Sequence, residues 1–130
     1  MSEQSQKLPK SEILRSKVLI QELFSKDSSS CYLYPFKIVY CLKAAQEAPG
    51  YPQVLFSVSK KHFKRAHQRN LLRRRIKEAY RLQKSQLLPP EGAAFGHLAI
   101  LFIAKEILEF SVISEKMRKI FGILQNKCAN

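Results

Sequence analysis

The chain has 130 residues with 45% hydrophobic content, which supports one compact domain, expected over 1–130 with flexible tails at 1–9 and 127–130. Its 23 lysines and arginines outnumber ten acids, and the formal net charge of +13 makes nucleic acid the first candidate partner. The sequence contains neither an apolar run of about 18 residues that could span a bilayer nor an apolar segment behind its polar start. We therefore expect a cytoplasmic protein without a membrane partner. The cysteines are too widely spaced for a disulfide framework or a zinc site, which favours reduced thiols at Cys31, Cys41 and Cys128.

The first half of the chain predicts one helix and two strands. A helix is expected over 11–25, with Ser11 as its N-cap and a broad apolar side. Period-two alternation then predicts a strand over 32–42 with one aromatic face. A connection rich in proline and glycine leads to a second strand over 53–59, and we expect the two strands to pair as a hairpin.

The second half predicts a helix, a strand and a final helix. Residues 66–84 lack glycine and proline and are rich in good helix formers. Residues 98–104 are almost continuously apolar, as expected of an inner strand covered on both faces. Residues 111–126 form an amphipathic pattern. The predicted fold class is α+β, a small single-domain α/β sandwich with the order helix, strand, strand, helix, strand, helix.

The positive charge is concentrated in one segment. Eleven basic residues and a single acid, Glu78, lie between Lys60 and Lys84, so this segment carries +10 and the rest of the chain only +3. A charge run is often just a solvated helix face. Like charges at helical spacing, however, destabilise their own helix by a few tenths of a kcal/mol per pair. A binding role would explain why this cost is tolerated.

A helical wheel separates the predicted basic helix into two stripes. One arc of roughly 140° collects polar and basic side chains, namely Arg69, Asn70, Arg73, Arg74, Lys77, Arg81 and Lys84. The neighbouring arc is apolar and should pack on the sheet, and it consists of Leu72, Ile76, Ala79 and Tyr80. Glu78 falls on the far side. The strand-to-helix connection extends the positive surface through Lys60, Lys61, Lys64 and Arg65.

This surface favours RNA over DNA, and binding over catalysis. Arginine forks match phosphate oxygens, and the chain shows no helix-turn-helix, zinc finger or basic zipper. A metal-dependent nuclease needs clustered carboxylates, but the nearest spaced pair, Glu106 and Glu109, is expected at the surface. His62 and His67 have no partner spaced for zinc or for a nucleophile. We therefore predict no catalytic residue and no metal or other cofactor on this chain.

Residues 69–81, RNLLRRRIKEAYR, resemble the signature helix of the ribonuclease P protein family. Residues 57–61 resemble the family's strand end with its paired lysines, and residues 12–24 resemble its first helix. Phe63, Lys64 and Ala66 resemble the approach to the signature helix in Bacteroidetes-like members. The resemblance implies a protein subunit of ribonuclease P, an endoribonuclease that removes the 5′ leader from precursor tRNA. Its partners would be the catalytic RNA and precursor tRNA, with the chemistry and the expected Mg²⁺ on the RNA.

The resemblance also implies site residues. Contacts to the catalytic RNA would come from Arg69, Asn70, Arg73, Arg74, Lys77 and Arg81. A cleft between the first helix and the sheet, offering Phe24, Phe36 and Tyr40, would hold the single-stranded leader. The crossover from the second strand through the signature helix would be left-handed, against the general rule. Leu71 stands where the family signature usually has arginine, which removes one expected phosphate contact.

Three other classes of protein remain open at this point. A ribosomal or other RNA-scaffold protein shares the charge and the fold, and differs in having no need for a cleft that stacks an unpaired strand. A protein nuclease and a DNA-binding regulator are the other two. Aromatic strand faces usually bury themselves, so core packing is the favoured interpretation for Phe36, whereas Tyr40 is open between core and cleft.

Overall fold

A computed structural model describes residues 8, 12–24, 28–44, 52–87 and 93–129. In this part of the chain, three α-helices pack on one sheet: α1 (Lys17–Leu23), α2 (Ala66–Gln83) and α3 (Phe110–Ala129). The strands are β1 (Ser29–Leu33), β2 (Phe36–Ala44), β3 (Gln53–Val58) and β4 (Ala93–Phe102), and a short 3₁₀ turn, Lys84–Leu87, continues α2. The predicted α+β class and order of elements are confirmed. Most of the predicted N-terminal tail lies outside the described residues, whereas α3 runs three residues past its predicted end.

The sheet has the order β1-β2-β4-β3. β1 with β2 and β2 with β4 are antiparallel, whereas β3 and β4 are parallel and are joined through α2. The predicted β-α-β unit is therefore present, and its left-handed sense stays an implication of the family resemblance. No helix among the described residues is long and apolar enough to cross a bilayer.

Two strand predictions are wrong. The predicted strand over 32–42 is interrupted by a turn at 34–35, so the hairpin joins β1 to β2. The expected pairing of β2 with β3 does not occur because β4 lies between them. β4 takes this central place because its residues 98–100 are completely buried on both faces of the sheet, which an edge position could not provide.

The main core lies between one face of the sheet and the helices α2 and α3. Both predicted helix stripes are completely buried there. They consist of Leu72, Ile76, Ala79 and Tyr80 on α2, and of Ile113, Met117, Ile120, Phe121 and Leu124 on α3. The ring of Tyr80 makes edge-to-face contacts with the rings of Phe56 and Phe121, with centroid distances of 5.5 Å and 6.0 Å. Tyr80 therefore connects α2 to β3 and to α3. This docking fixes which side of α2 remains outside.

The opposite face of the sheet carries a smaller core covered by α1. Leu14 and Leu23 pack there with Val39 of β2 and Ala99 of β4. The helix is shorter than predicted, because the residues before it are extended along the sheet edge: Ile13 bridges to Val54, and the Leu14 N–H donates to the Val54 carbonyl at 2.8 Å. α1 begins only after Ser16, whose hydroxyl accepts from the Leu19 N–H at 3.3 Å.

Candidate nucleic-acid interface

The docking of α2 by its apolar stripe leaves the predicted polar arc outside the core, with the exception of Lys84. Together with the turn that precedes α2, this arc forms a continuous stretch of positively charged chain, here called the basic surface. Every member is exposed or half-buried. Its residues are Lys60, Lys61, Lys64, Arg65, Arg69, Asn70, Arg73, Arg74, Lys77 and Arg81. The helical wheel thus places the α2 members of this surface, residues 69–81, on the solvent side correctly.

Arg69 of the basic surface contacts the backbone that precedes α2. Its Nη1 donates to the carbonyl of Phe63 at 2.7 Å and to the carbonyl of Lys64 at 2.9 Å. Both carbonyls belong to the turn between β3 and α2. One side of the Arg69 guanidinium is therefore bound to this turn, and its other N–H groups are left for further contacts.

Two other members are oriented by neighbours. The Nη1 of Arg73 donates to Oδ1 of Asn70 at 3.2 Å, one helical turn earlier. The Nζ of Lys77 lies 5.9 Å from the ring centroid of Phe56, at the outer range of a cation–π contact. Leu71, the departure from the family signature, is half-buried on the same helix and supplies no charge.

The single acid of the basic segment, Glu78, is exposed and pairs with a member of the basic surface. Glu78 and Arg81 form a two-point ion pair, with Nε to Oε1 at 3.0 Å. The hydrogen bond from Arg81 lowers the pKa of Glu78, and the same bond raises the pKa of Arg81. Residues three apart on a helix are neighbours, so a long arginine side chain reaches across the wheel boundary. Arg81 is thereby partly neutralised.

Two basic residues of the segment serve the fold. Lys84, predicted on the exposed arc, is buried, and its Nζ lies 2.8 Å from Oε1 of Glu12. Its partner Glu12 comes from the chain before α1, which a wheel of one isolated helix cannot show. Arg75 donates through Nη1 to the carbonyl of Leu108 at 2.6 Å and so ties α2 to the approach to α3.

The predicted leader cleft is not assembled from Phe24, Phe36 and Tyr40. Phe36 is 0% exposed and Tyr40 4% exposed, and both belong to the main core under α2 and α3. Phe24 ends α1 on the other side of the sheet and is 48% exposed. The cleft prediction is therefore wrong in its geometry. The even-numbered residues of β2 face α2 and α3, whereas the first helix covers the opposite face, which is formed by odd-numbered residues such as Val39. For Phe36 the interpretation as core is confirmed.

The face that α1 does cover offers a different set of side chains. Cross-strand pairing places Tyr32, Lys37, Leu101 and Ser57 side by side across the four strands, here called the outer row. The adjacent row is buried by α1 at Val39 and Ala99. In the outer row Tyr32 is 63% exposed and Lys37 is exposed. An aromatic ring and a cation thus stand beside α1 on an open part of the sheet.

The remaining titratable candidates do not converge. His97 lies inside β4, which begins five residues before the predicted start at residue 98, and its Nδ1 is 3.7 Å from Sγ of Cys41. His67 is exposed, and so are Glu106 and Glu109. Among the described residues, no group of three or more His, Cys, Asp and Glu side chains could hold a metal ion.

A family model and individual relatives of this chain point to the same protein family. The model of the Ribonuclease P family matches residues 8–125. The ribonuclease P protein component of Porphyromonas gingivalis is 33% identical over 114 residues, covering 86% of this chain and 82% of that protein. The corresponding protein of Chlorobium phaeobacteroides is 35% identical over 126 residues, covering 87% and 84%.

Solved structures share the fold. The ribonuclease P protein of Staphylococcus aureus superposes with a TM-score of 0.68 at 21% identity, covering 88% of this chain and 95% of that one. The protein from Thermotoga maritima gives a TM-score of 0.59 at 20% identity, covering 88% and 96%. The α+β arrangement described above is therefore that of the ribonuclease P proteins.

Proposed function

The chain belongs to the ribonuclease P protein family, and we propose that its basic surface binds the phosphate backbone of the catalytic RNA. Membership makes it a protein component of the ribonuclease P ribonucleoprotein, an enzyme of tRNA processing. The alternative of a ribosomal or scaffold protein is not favoured, because the relatives over most of the chain are ribonuclease P components.

The main support for this proposal is that α2 packs on the core with one side and presents positive charge on the other. Its apolar stripe is completely buried in the main core, while the side that stays outside carries cations and a single acid that one of them neutralises. A concentration of like charges on one side of a helix is costly to a free protein, and phosphate groups would relieve the repulsion. Arginine forks in particular match phosphate oxygens.

We assign the phosphodiester hydrolysis to the RNA, with the Mg²⁺ that this chemistry needs. In support, three of the described acids are engaged in ion pairs on separate parts of the fold. Glu12 pairs with Lys84, Glu78 with Arg81, and Glu115 with Lys119 at 3.4 Å. These carboxylates form ion pairs within the fold and are not gathered at one site. This arrangement fits a protein that binds and positions RNA.

For the 5′ leader of precursor tRNA we propose the outer row, in place of Phe36 and Tyr40. Single-stranded RNA is bound by aromatic rings that stack on bases and by cations that pair with phosphates. Tyr32 and Lys37 are directly opposite each other on adjacent strands, and both are exposed. Phe24, exposed at the end of α1, remains a candidate on the same side of the sheet.

The salt dependence of RNA affinity tests the role of the basic surface. If about six phosphates are contacted, the logarithm of the affinity for the catalytic RNA should fall with a slope of roughly −4 to −5 against the logarithm of salt concentration, at ~0.7 to 0.9 per contact. Arg74→Ala should reduce the magnitude of this slope by about one contact. Arg118→Ala removes an equally exposed arginine from α3 and is the matched control. A slope near zero, or equal effects of the two variants, would reject the basic surface as the binding site.

A further inference from the structure

The turn between β3 and α2 carries three exposed lysines in five residues, and we call residues 60–64 the lysine turn. Its lysines are Lys60, Lys61 and Lys64. Like charges this close repel one another, so an isolated turn of this sequence would sample many conformations. A fixed arrangement of these lysines requires contacts that hold the backbone between them.

The structure provides such contacts on both sides of the lysine turn. The Phe63 N–H donates to the Ser59 carbonyl at 3.1 Å, and the Lys61 N–H donates to the Ser59 hydroxyl at 3.0 Å. The Phe63 ring is buried in the main core, 6.1 Å from the ring of Phe102. The turn is thus closed at its start and anchored in its middle, while its exit toward α2 needs a separate restraint.

Arg69 supplies that restraint. A single nitrogen of its guanidinium donates to two successive carbonyls of the turn, at Phe63 and Lys64. This arginine is in the first turns of α2, where the partial positive charge of the helix disfavours a cation. The N-cap residue, Arg65, makes no side-chain capping bond. The two carbonyls therefore stabilise Arg69 where the helix itself does not, and Arg69 in turn fixes the backbone that carries the lysines.

We propose that Arg69 is a positioning residue that holds the lysine turn in its RNA-binding conformation. The proposal rests on the proposed function of the basic surface, and deepens it by separating two kinds of arginine. Arg69 acts through the lysines of the turn, whereas Arg73 and Arg74 act on phosphates directly. A preorganised turn binds more tightly because the ordering of its backbone precedes the encounter with RNA.

The first test uses the free protein and amide hydrogen exchange over residues 60–65. Arg69→Ala should speed exchange in the lysine turn about tenfold, because a lost pair of charge-assisted bonds releases its exit. Exchange in the middle of α2 should be unchanged. Arg69→Met, which keeps the apolar stem but removes every donor, should behave in the same way and replaces the alanine variant if that one folds poorly. Arg73→Ala is the matched control and should leave the turn as in the native protein. Unchanged exchange in Arg69→Met would overturn the proposal.

The second test is a double-mutant cycle on affinity for the catalytic RNA. In the native background, Lys61→Ala with Lys64→Ala should weaken binding about tenfold for the loss of two phosphate contacts. The same pair should cost less than about threefold in the Arg69→Ala background, because the turn is already released. In the Arg73→Ala background the full loss should remain. Additive losses with Arg69→Ala would overturn the positioning role. Absence of RNA affinity in the native protein would instead reject the proposed function, while the hydrogen-exchange result would still stand.

Discussion

Lys84 and Glu12 form a buried ion pair, with Nζ 2.8 Å from Oε1 and only 1% of the lysine side chain exposed. The pair joins the end of α2 to the segment that precedes α1, 72 residues away in sequence.

Glu12→Gln should therefore lower the free energy of unfolding by about 3 kcal/mol, because it removes the Glu12 counter-charge from a buried ammonium. Adding Lys84→Met should recover most of this loss, since the charge itself is then removed. The measurement is chemical denaturation of both variants. Glu115→Gln breaks the exposed pair with Lys119 and is the control, with an expected loss below about 1 kcal/mol. Similar losses for Glu12→Gln and Glu115→Gln would contradict the buried pair.

Ile76 and Arg73 should respond oppositely to substitution although they are three residues apart on α2. Ile76 is completely buried, so Ile76→Asp should unfold the domain by placing a charge in the core. Arg73→Ala should weaken RNA affinity and leave the melting temperature nearly unchanged. Thermal melting and RNA titration of the two variants check this. The reverse order of damage would mean that α2 is docked by its other side.

Glu78 should titrate below the usual range of glutamate, since the hydrogen bond from Arg81 lowers its pKa. A lowered pKa means that the stabilisation from this pair is present at pH values above the pKa of the unfolded chain. It is lost as the pH falls through the lower pKa of the folded chain. Carboxyl NMR titration should show this low midpoint, and Arg81→Gln should return it toward the ordinary value. An unshifted midpoint in the native protein would contradict the pair.

The same ion pair predicts a gain of function. Glu78→Gln removes the acid from the basic surface and the ion pair that it makes with Arg81, so RNA affinity should rise about threefold to tenfold. Glu115→Gln on α3 removes an equally exposed carboxylate and should leave the affinity unchanged. Equal affinities for the native protein and Glu78→Gln would show that Arg81 does not contribute to RNA binding.

Substitution of Tyr32 and of Tyr40 should have different effects, because Tyr32 is exposed in the outer row and Tyr40 is buried in the main core. Tyr32→Ala in the assembled ribonucleoprotein should weaken precursor tRNA binding by roughly fivefold to a hundredfold and spare mature tRNA, since stacking contributes ~1 to 3 kcal/mol per base. Tyr40→Ala should instead lower the free energy of unfolding by about 3 kcal/mol, as for other large aromatic truncations in a core. Equal losses for precursor and mature tRNA with Tyr32→Ala would remove the outer row from leader binding.

The sequence predicts α2 and α3 well because their apolar stripes repeat over several helical turns. It fails at the first hairpin for a physical reason. Leu33 pairs with Phe36 across a two-residue turn, so odd-numbered residues of β1 share a face with even-numbered residues of β2. Strict alternation through 32–42 therefore assigns Tyr32 to the wrong face and conceals the outer row. The choice of sheet face for α1 is likewise invisible to periodicity.

The candidate site likewise has residues that the sequence identifies and residues whose roles only the structure shows. The exposed members of the basic surface are local consequences of one helical pattern, and sequence alone identifies them. The roles of Lys84 and Arg69 depend on groups outside the helix, namely Glu12 and the carbonyls of the lysine turn. Such tertiary contacts decide which cations are free for RNA and which hold the fold.

Cleavage of precursor tRNA at low Mg²⁺ shows whether this chain acts as the protein subunit of ribonuclease P. A ribonuclease P RNA from a related bacterium would be assayed alone, with the native protein, and with a variant in which Arg73 and Arg74 are both alanine. We expect accurate removal of the 5′ leader with the native protein and little cleavage with RNA alone. The variant should stay folded but lose most of the stimulation of cleavage. Equal cleavage with and without the native protein would contradict its assignment as the protein subunit.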